Sequence, residues 1–268
     1  MIKIITIDLD GTLFDSNKVI SETNKQAIKE AKDLGVKIVI ATGRPYLGFQ
    51  HVIKELELFN TDTYVICFNG GIIYHLLTNE IVYSSTISGK DVKRLYKESL
   101  ELNINIHAFK ENQEFIAPKQ SECTDVEASI NKIEVTYTDF NLIKDEDKFI
   151  KAMLIDPEEI VDGVVPKLDS YWKENFSVVR SADIFLEFLN LEAQKGFALE
   201  KLAALLNVDI KDTASFGDNE NDLSMIISAG TGVAMQNAVD IVKQNAQMIT
   251  ESNDNSGVGI GIRKLLNK

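Results

Sequence analysis

Residues 2–12 read Ile2-Lys3-Ile4-Ile5-Thr6-Ile7-Asp8-Leu9-Asp10-Gly11-Thr12. The run up to Ile7 is apolar and β-branched without amphipathic alternation, the pattern of a strand buried on both faces of a parallel sheet. It stops at Asp8. Moving outward, Ser21 stands as N-cap of a helix reaching Leu34, with Ala27, Ala31 and Leu34 at helical spacing and Gly35 as the stop. Val36 to Ala41 reads as a second strand that breaks at Thr42-Gly43-Arg44-Pro45. Pro45 opens a helical stretch carrying Val52, Ile53, Leu56 and Leu58, and a third strand runs from Tyr64 to Phe68. This alternation predicts an α/β fold, a doubly wound and largely parallel sheet.

The pattern changes after Asn69-Gly70-Gly71. Short β-like segments (Ile72–Tyr74, Ile81–Tyr83) precede a charged helix over Gly89–Leu102 and strand-like pieces at Asn105–Phe109, Phe149–Ile155 and Ser177–Val179. We read residues 84–187 as an inserted α+β domain. Residues 1–83 and 188–268 form the core, which resumes with a helix over Gly196–Leu206, a strand over Ala214–Phe216, a helix over Asp222–Ser228, a strand over Gly232–Met235 and a last helix ending near Asn267.

The net charge of −13 argues against nonspecific nucleic-acid binding, and any phosphate site must be locally positive. No apolar run approaches the roughly 20 residues of a membrane helix, and Met1-Ile2-Lys3 lacks a signal-peptide layout, so the expected compartment is the cytoplasm. Cys67 and Cys123 lie outside any disulfide or zinc spacing. His51, His75 and His107 have no partners at metal-ligand spacing and read as surface or half-buried residues. The glycines Gly230, Gly232, Gly257, Gly259 and Gly261 fall short of GxGxxG and read as loop and packing glycines.

Asp8 and Asp10 sit at i and i+2 past the end of the first strand, where ligands bind in open α/β sheets. Like charges so close call for a cation or a proton between them. An acidic turn at Asp10-Gly11 is the plain alternative. Polar groups recur at strand ends in Thr42-Gly43-Arg44 and in Gly217-Asp218-Asn219-Glu220-Asn221-Asp222. Lys195 opens a helix, where a cation suggests an anion nearby. Singly, Thr42 and Asp218 can be caps, and Arg44 and Lys195 solvated charges.

Taken in order, DLDGT, ATGR, QKG and GDNEND resemble the four motifs of the haloacid dehalogenase superfamily. The insert after FNGG resembles its Cof-type branch, and the whole length is similar to YidA-like sugar phosphatases. The resemblance implies a Rossmann-like core with an inserted α/β cap and a Mg²⁺-dependent phosphatase acting on a small phosphorylated metabolite. Asp8 would be the nucleophile and Asp10 the general acid and base. Gly11, Thr42, Lys195 and Asn221 would contact the phosphoryl group, and Arg44 and Asn69 would lie near the substrate entrance. Asp8, Asp218 and the Asp10 carbonyl would bind Mg²⁺, with Asp222 orienting water or ligating directly. Gln194 stands where the family usually has Asn or Ser before the lysine.

These residue types suit the chemistry on their own terms. A carboxylate ionised at neutral pH attacks phosphorus without an activating base, and a hard cation with Lys195 relieves the repulsion. Asp10 then needs a raised pKa to protonate the leaving group. A phosphomutase of the same superfamily and a phosphosugar-binding regulator are the alternatives.

Overall fold

The computed structural model describes residues 1–267; Lys268, counted to the expected core, lies outside the described residues. Two compact units are present. Met1–Arg44, Gln50–Tyr83 and the segment from Gln194 onward form one, and Pro45–Phe49 with Ser84–Ala193 form the other.

The first unit begins with β1 (Ile4–Ile7), whose four residues are all buried. Even Thr6 has no exposed surface, its hydroxyl being satisfied by the Ser215 hydroxyl at 2.5 Å. Helix α1 (Glu22–Asp33) starts as expected, with the Ser21 side chain accepting from the Asn24 N–H. After β2 (Lys37–Ala41) the predicted helix is shortened: Tyr46–Phe49 form a 3₁₀ turn and α2 covers only Gln50–Glu55. Strands β3 (Tyr64–Cys67), β4 (Ile72–His75) and β5 (Glu80–Ser84) follow.

The second unit contains β6 (Ile87–Ser88), α3 (Gly89–Glu101), β7 (Asn105–Lys110), β8 (Phe115–Ala117), α4 (Glu122–Asn131) and β9 (Val135–Tyr137). It continues with β10 (Lys148–Ile155), α5 (Glu158–Val164), α6 (Ser170–Asn175), β11 (Ser177–Ala182) and β12 (Phe185–Leu189). One sheet runs β11-β12-β10-β7-β8-β9. Its alternation sends Ile106, Ala108, Ala152, Leu154 and Phe188 into an apolar core with Trp172. The opposite set holds His107, Phe109, Phe115, Lys151 and Glu187. There Lys151 Nζ meets Glu187 Oε1 at 3.0 Å and Glu127 of α4 at 3.8 Å, all three residues buried. His107 is fully buried, neither at the surface nor half-buried as expected, its ring 4.8 Å from that of Phe115. Burial, aided by Lys151, holds its pKa well below the ordinary value, so it stays neutral.

The chain returns to the first unit through α7 (Lys195–Leu205), β13 (Thr213–Gly217), α8 (Leu223–Ser228), β14 (Thr231–Ala234), α9 (Asp240–Asn245), β15 (Met248–Ile249) and α10 (Gly257–Leu265). Its sheet order is β15-β14-β13-β1-β2-β3-β4-β5, parallel as far as β3 and antiparallel at β4. Strand order reverses at β1, so the carboxyl ends of β1, β2 and β13 open at the topological switch point. Gly257, Gly259 and Gly261 lie in α10, not in a loop, but they do pack closely: a Cβ at Gly261 would stand 2.5 Å from the Phe216 ring. Among the described residues no helix is long and apolar enough to cross a membrane.

Candidate active site

The strand β1 delivers Asp8 to the switch point, where its N–H still donates to Phe216 O of β13 at 3.1 Å. The chain then folds back on itself, with Leu13 N donating to Asp8 O and Phe14 N to Leu9 O. Gly11 makes this turn with φ +84°, and a Cβ there would stand 2.4 Å from Asp218 Oδ2. Only glycine combines that backbone with so close an approach.

Asp8 is nearly buried, and Lys195, the first residue of α7, is fully so. Lys195 Nζ lies 2.6 Å from Asp8 Oδ1 and 2.6 Å from Asp222 Oδ1. The lysine keeps this place although Gln194 caps α7 without a side-chain capping bond. Burial lowers its pKa, but the two carboxylates outweigh that and hold it above the ordinary ammonium value. Asp222 Oδ2 accepts from the N–H groups of Asp218 at 2.9 Å and Asn219 at 3.1 Å, which locks the loop after β13. Both oxygens of Asp222 are thus engaged within the protein.

Asp218 receives the Thr12 hydroxyl on Oδ1 at 2.7 Å. Asp8, Asp218 and Asp222 bring carboxylate oxygens within 4.8 Å of one another. Three carboxylates around one ammonium leave two uncompensated negative charges when all are ionised. Burial first, and Asp222 second, push Asp8 up to about 8 against the pull of Lys195. Burial likewise lifts Asp218 to about 6. An all-oxygen donor set with excess negative charge fits a hard divalent cation.

The Asp10 side chain takes no part in that cluster. Arg44 Nε donates to its Oδ2 at 2.9 Å, Arg44 Nη2 to its Oδ1 at 2.7 Å, and Lys18 Nζ to the same Oδ1 at 2.7 Å. Burial would raise its pKa, but the hydrogen bonds from Arg44 and Lys18 outweigh it and the net shift is downward. The raised pKa expected for Asp10 is therefore corrected, because two cations stabilise its ionised form.

Thr42 is buried just past the end of β2, its hydroxyl accepting from the Arg44 N–H at 3.2 Å in a local turn that caps no helix. Asn69 has φ +54° and follows Phe68 at φ +52°. Its N–H donates to Thr42 O and its Oδ1 accepts from Asn221 Nδ2 at 3.1 Å, so Thr42, Asn69 and Asn221 form one connected rim. Lys18 and Thr12 were not singled out by sequence reasoning. Thr12 lies within DLDGT; the only signal for Lys18 was Asp15-Ser16-Asn17, where the Asp15 carboxylate accepts from Asn17 and Val19 N–H groups and turns the chain.

Comparison with known proteins gives the family. Residues 5–262 match the haloacid dehalogenase-like hydrolases. The chain is 36% identical over 267 residues to YxeH of Bacillus subtilis, 99% of each chain being covered. It is 30% identical over 262 residues to the Bacillus subtilis 5-amino-6-(5-phospho-D-ribitylamino)uracil phosphatase YcsE, covering 98% of this chain and 95% of that one. A solved haloacid dehalogenase-like hydrolase from Bacteroides thetaiotaomicron matches with a TM-score of 0.87 at 29% identity, over 99% of this chain and 100% of the other. The chain belongs to the haloacid dehalogenase-like hydrolases, in their Cof-type branch, and is a phosphatase.

Proposed function

We propose that the protein is a Mg²⁺-dependent, cytoplasmic hydrolase of small phosphate monoesters, sugar and polyol phosphates foremost, working through a phosphorylated Asp8. The observation that carries this reading is the buried Lys195 ammonium shared by Asp8 and Asp222 beside Asp218. A nucleophilic carboxylate, a charge-dispersing lysine and a hard-oxygen donor set suit phosphoryl transfer together.

Asp8, Asp218 and the Asp10 backbone carbonyl would hold Mg²⁺, which would supply positive charge to offset the repulsion of nucleophile and phosphate. Asp8 forms a bond to phosphorus as the ester P–O bond breaks. Lys195 offsets charge on the equatorial oxygens, and Thr42, Asn221 and the Gly11 turn hold them. The departing alkoxide takes a proton from Asp10, which requires Arg44 and Lys18 to loosen their hold. Water then attacks phosphorus, gives its proton to Asp10 and releases inorganic phosphate with free Asp8. Asp222 keeps Lys195 and the Asp218 backbone in place.

Support for a polyol phosphate comes from the YcsE relative, whose name specifies a phosphoribityl ester. The unit formed by Pro45–Phe49 and Ser84–Ala193 is assigned to substrate selection, as a cap. Two buried free thiols, Cys67 and Cys123, support a reducing compartment.

Asp8→Asn should abolish turnover on an aryl phosphate with the fold intact. Asp10→Asn should slow the first step on an alkyl sugar phosphate by roughly 10²–10⁴ yet still phosphorylate Asp8 from the aryl ester, giving a phenol burst near one equivalent. Near wild-type turnover by Asp8→Asn, or equal loss on both esters in Asp10→Asn, would refute the division of roles.

A further inference from the structure

The structure assigns Asn237 and Asn253, which belong to none of the motifs, as positioning residues for the loop that carries Asp10. Asn237 Nδ2 donates to Gly11 O at 2.8 Å, and the Asn253 N–H donates to Asn237 Oδ1 at 3.0 Å. Asn253 Nδ2 donates in turn to Phe14 O at 3.0 Å. Two carbonyls of the turn after Asp10 are therefore held from outside it by one linked pair of carboxamides.

Strand pairing does not produce this link. Asn237 follows β14 and Asn253 follows β15, and β13 lies between those strands and β1. The loops reach across an intervening strand to meet the Asp10 turn. Within the turn itself, Leu13 N to Asp8 O at 3.2 Å and Phe14 N to Leu9 O at 2.9 Å close the fold-back at its base, whereas Thr12 N to Leu9 O, the bond nearest the Gly11 peptide, is long at 3.4 Å. Gly11 is confined on its Cα side by Asp218, 2.4 Å from where a Cβ would stand, and on its carbonyl side by Asn237. Fixing the peptide after Gly11 on both sides fixes where Asp10 can present its carboxyl group.

The two asparagines divide the work. Asn253 is nine-tenths buried and braces Asn237, whereas Asn237 is exposed and makes the contact to Gly11. An exposed side chain with one donated bond adds little to the stability of the fold. Its value lies in placement, and a displacement of about 1 Å at a reacting group costs about 10²-fold in rate.

This inference rests on the reading of Asp10 as the proton donor. Single-turnover phosphorylation of Asp8 is to be measured by quenched flow with an alkyl sugar phosphate and an aryl phosphate, for Asn237→Ala, Asn237→Asp, Asp10→Asn and the Asn237→Ala/Asp10→Asn double variant. Asn237→Asp keeps the shape and the acceptor for Asn253 but loses the donor to Gly11, so it reports even if the alanine variant folds poorly. Both Asn237 variants should slow the alkyl ester by roughly 10–100-fold and the aryl ester by less than about threefold. Their melting temperatures should stay within about 2–4 °C of the wild type. The double variant should be no slower on the alkyl ester than Asp10→Asn alone. Equal loss on both esters, no loss on either, or further loss in the double variant overturns the assignment. If Asp10→Asn itself fails to discriminate the esters, the fault lies in the proton-donor reading instead.

Discussion

Arg44 grips the Asp10 carboxylate through two parallel hydrogen bonds, Nε to Oδ2 at 2.9 Å and Nη2 to Oδ1 at 2.7 Å. With Lys18 on Oδ1, this arrangement favours the ionised form, the state in which Asp10 can take a proton from water. Arg44→Ala should therefore slow hydrolysis of phosphorylated Asp8 more than its formation from an aryl ester. The phenol burst should rise toward one equivalent, with phosphate detectable on Asp8 by mass spectrometry. Slower turnover without a burst would mean that Arg44 serves substrate entry rather than Asp10.

Thr12 meets Asp218 from a fully buried position, its hydroxyl 2.7 Å from Oδ1. Hydrogen bonds of this kind orient metal-ligating carboxylates, and losing one typically weakens metal affinity about 10–100-fold. Thr12→Val should raise the Mg²⁺ concentration for half-activation by that factor. Mg²⁺ at about 100 times its Kd should stabilise the wild type by about 2.7 kcal/mol, seen as a higher melting temperature that chelator removes. An unchanged melting temperature on adding Mg²⁺ to the wild type would exclude the Asp8–Asp218 cation site.

The Glu127–Lys151–Glu187 group makes stability depend on pH. Burial, outweighing the pull of Lys151, holds Glu127 above its ordinary carboxyl value. Between the ordinary and the raised value the folded chain binds more protons than the unfolded one, so stability falls as pH rises through that window. Glu127→Gln removes the titration, and its melting temperature should gain on the wild type as pH rises from the ordinary carboxyl value through the raised one. Lys151 is held above its own ordinary value and keeps its charge throughout this range. Lys151→Met should instead cost about 3–5 kcal/mol near neutral pH, because it strands buried carboxylates. A pH-independent difference between Glu127→Gln and the wild type would contradict this account.

Much of the first unit was legible because its strands are uniformly apolar and its helices carry clear caps, as at Ser21. Asp8, Lys195 and Asp218 could be placed by their positions at strand and helix ends. The second unit was harder to read. Helix α4 turns Cys123, Thr124, Glu127 and Asn131 inward and leaves Val126 and Ile130 exposed, so its hydrophobic periodicity points to the wrong face. Glu187 looked like the end of an inserted domain, whereas it is buried within β12 on Lys151, and the unit runs on to Ala193. The hold of Arg44 and Lys18 on Asp10 joins residues whose side-chain directions no spacing rule supplies.

Pairing of β1 with β13 joins Ile4 to Thr213 and Ile7 to Phe216. During synthesis from the N-terminus, the strand leading into Asp8 can therefore acquire only its β2 neighbour until more than two hundred further residues have been made. One long side of it stays an open edge meanwhile, able to pair with another chain. Ser84–Ala193, by contrast, is one unbroken stretch that leaves the ribosome before β13 does. Aggregation of nascent chains is thus expected to depend on how soon the last quarter of the sequence arrives, and slow translation between Ala193 and Thr213 would prolong the exposure of the nucleophile's own strand.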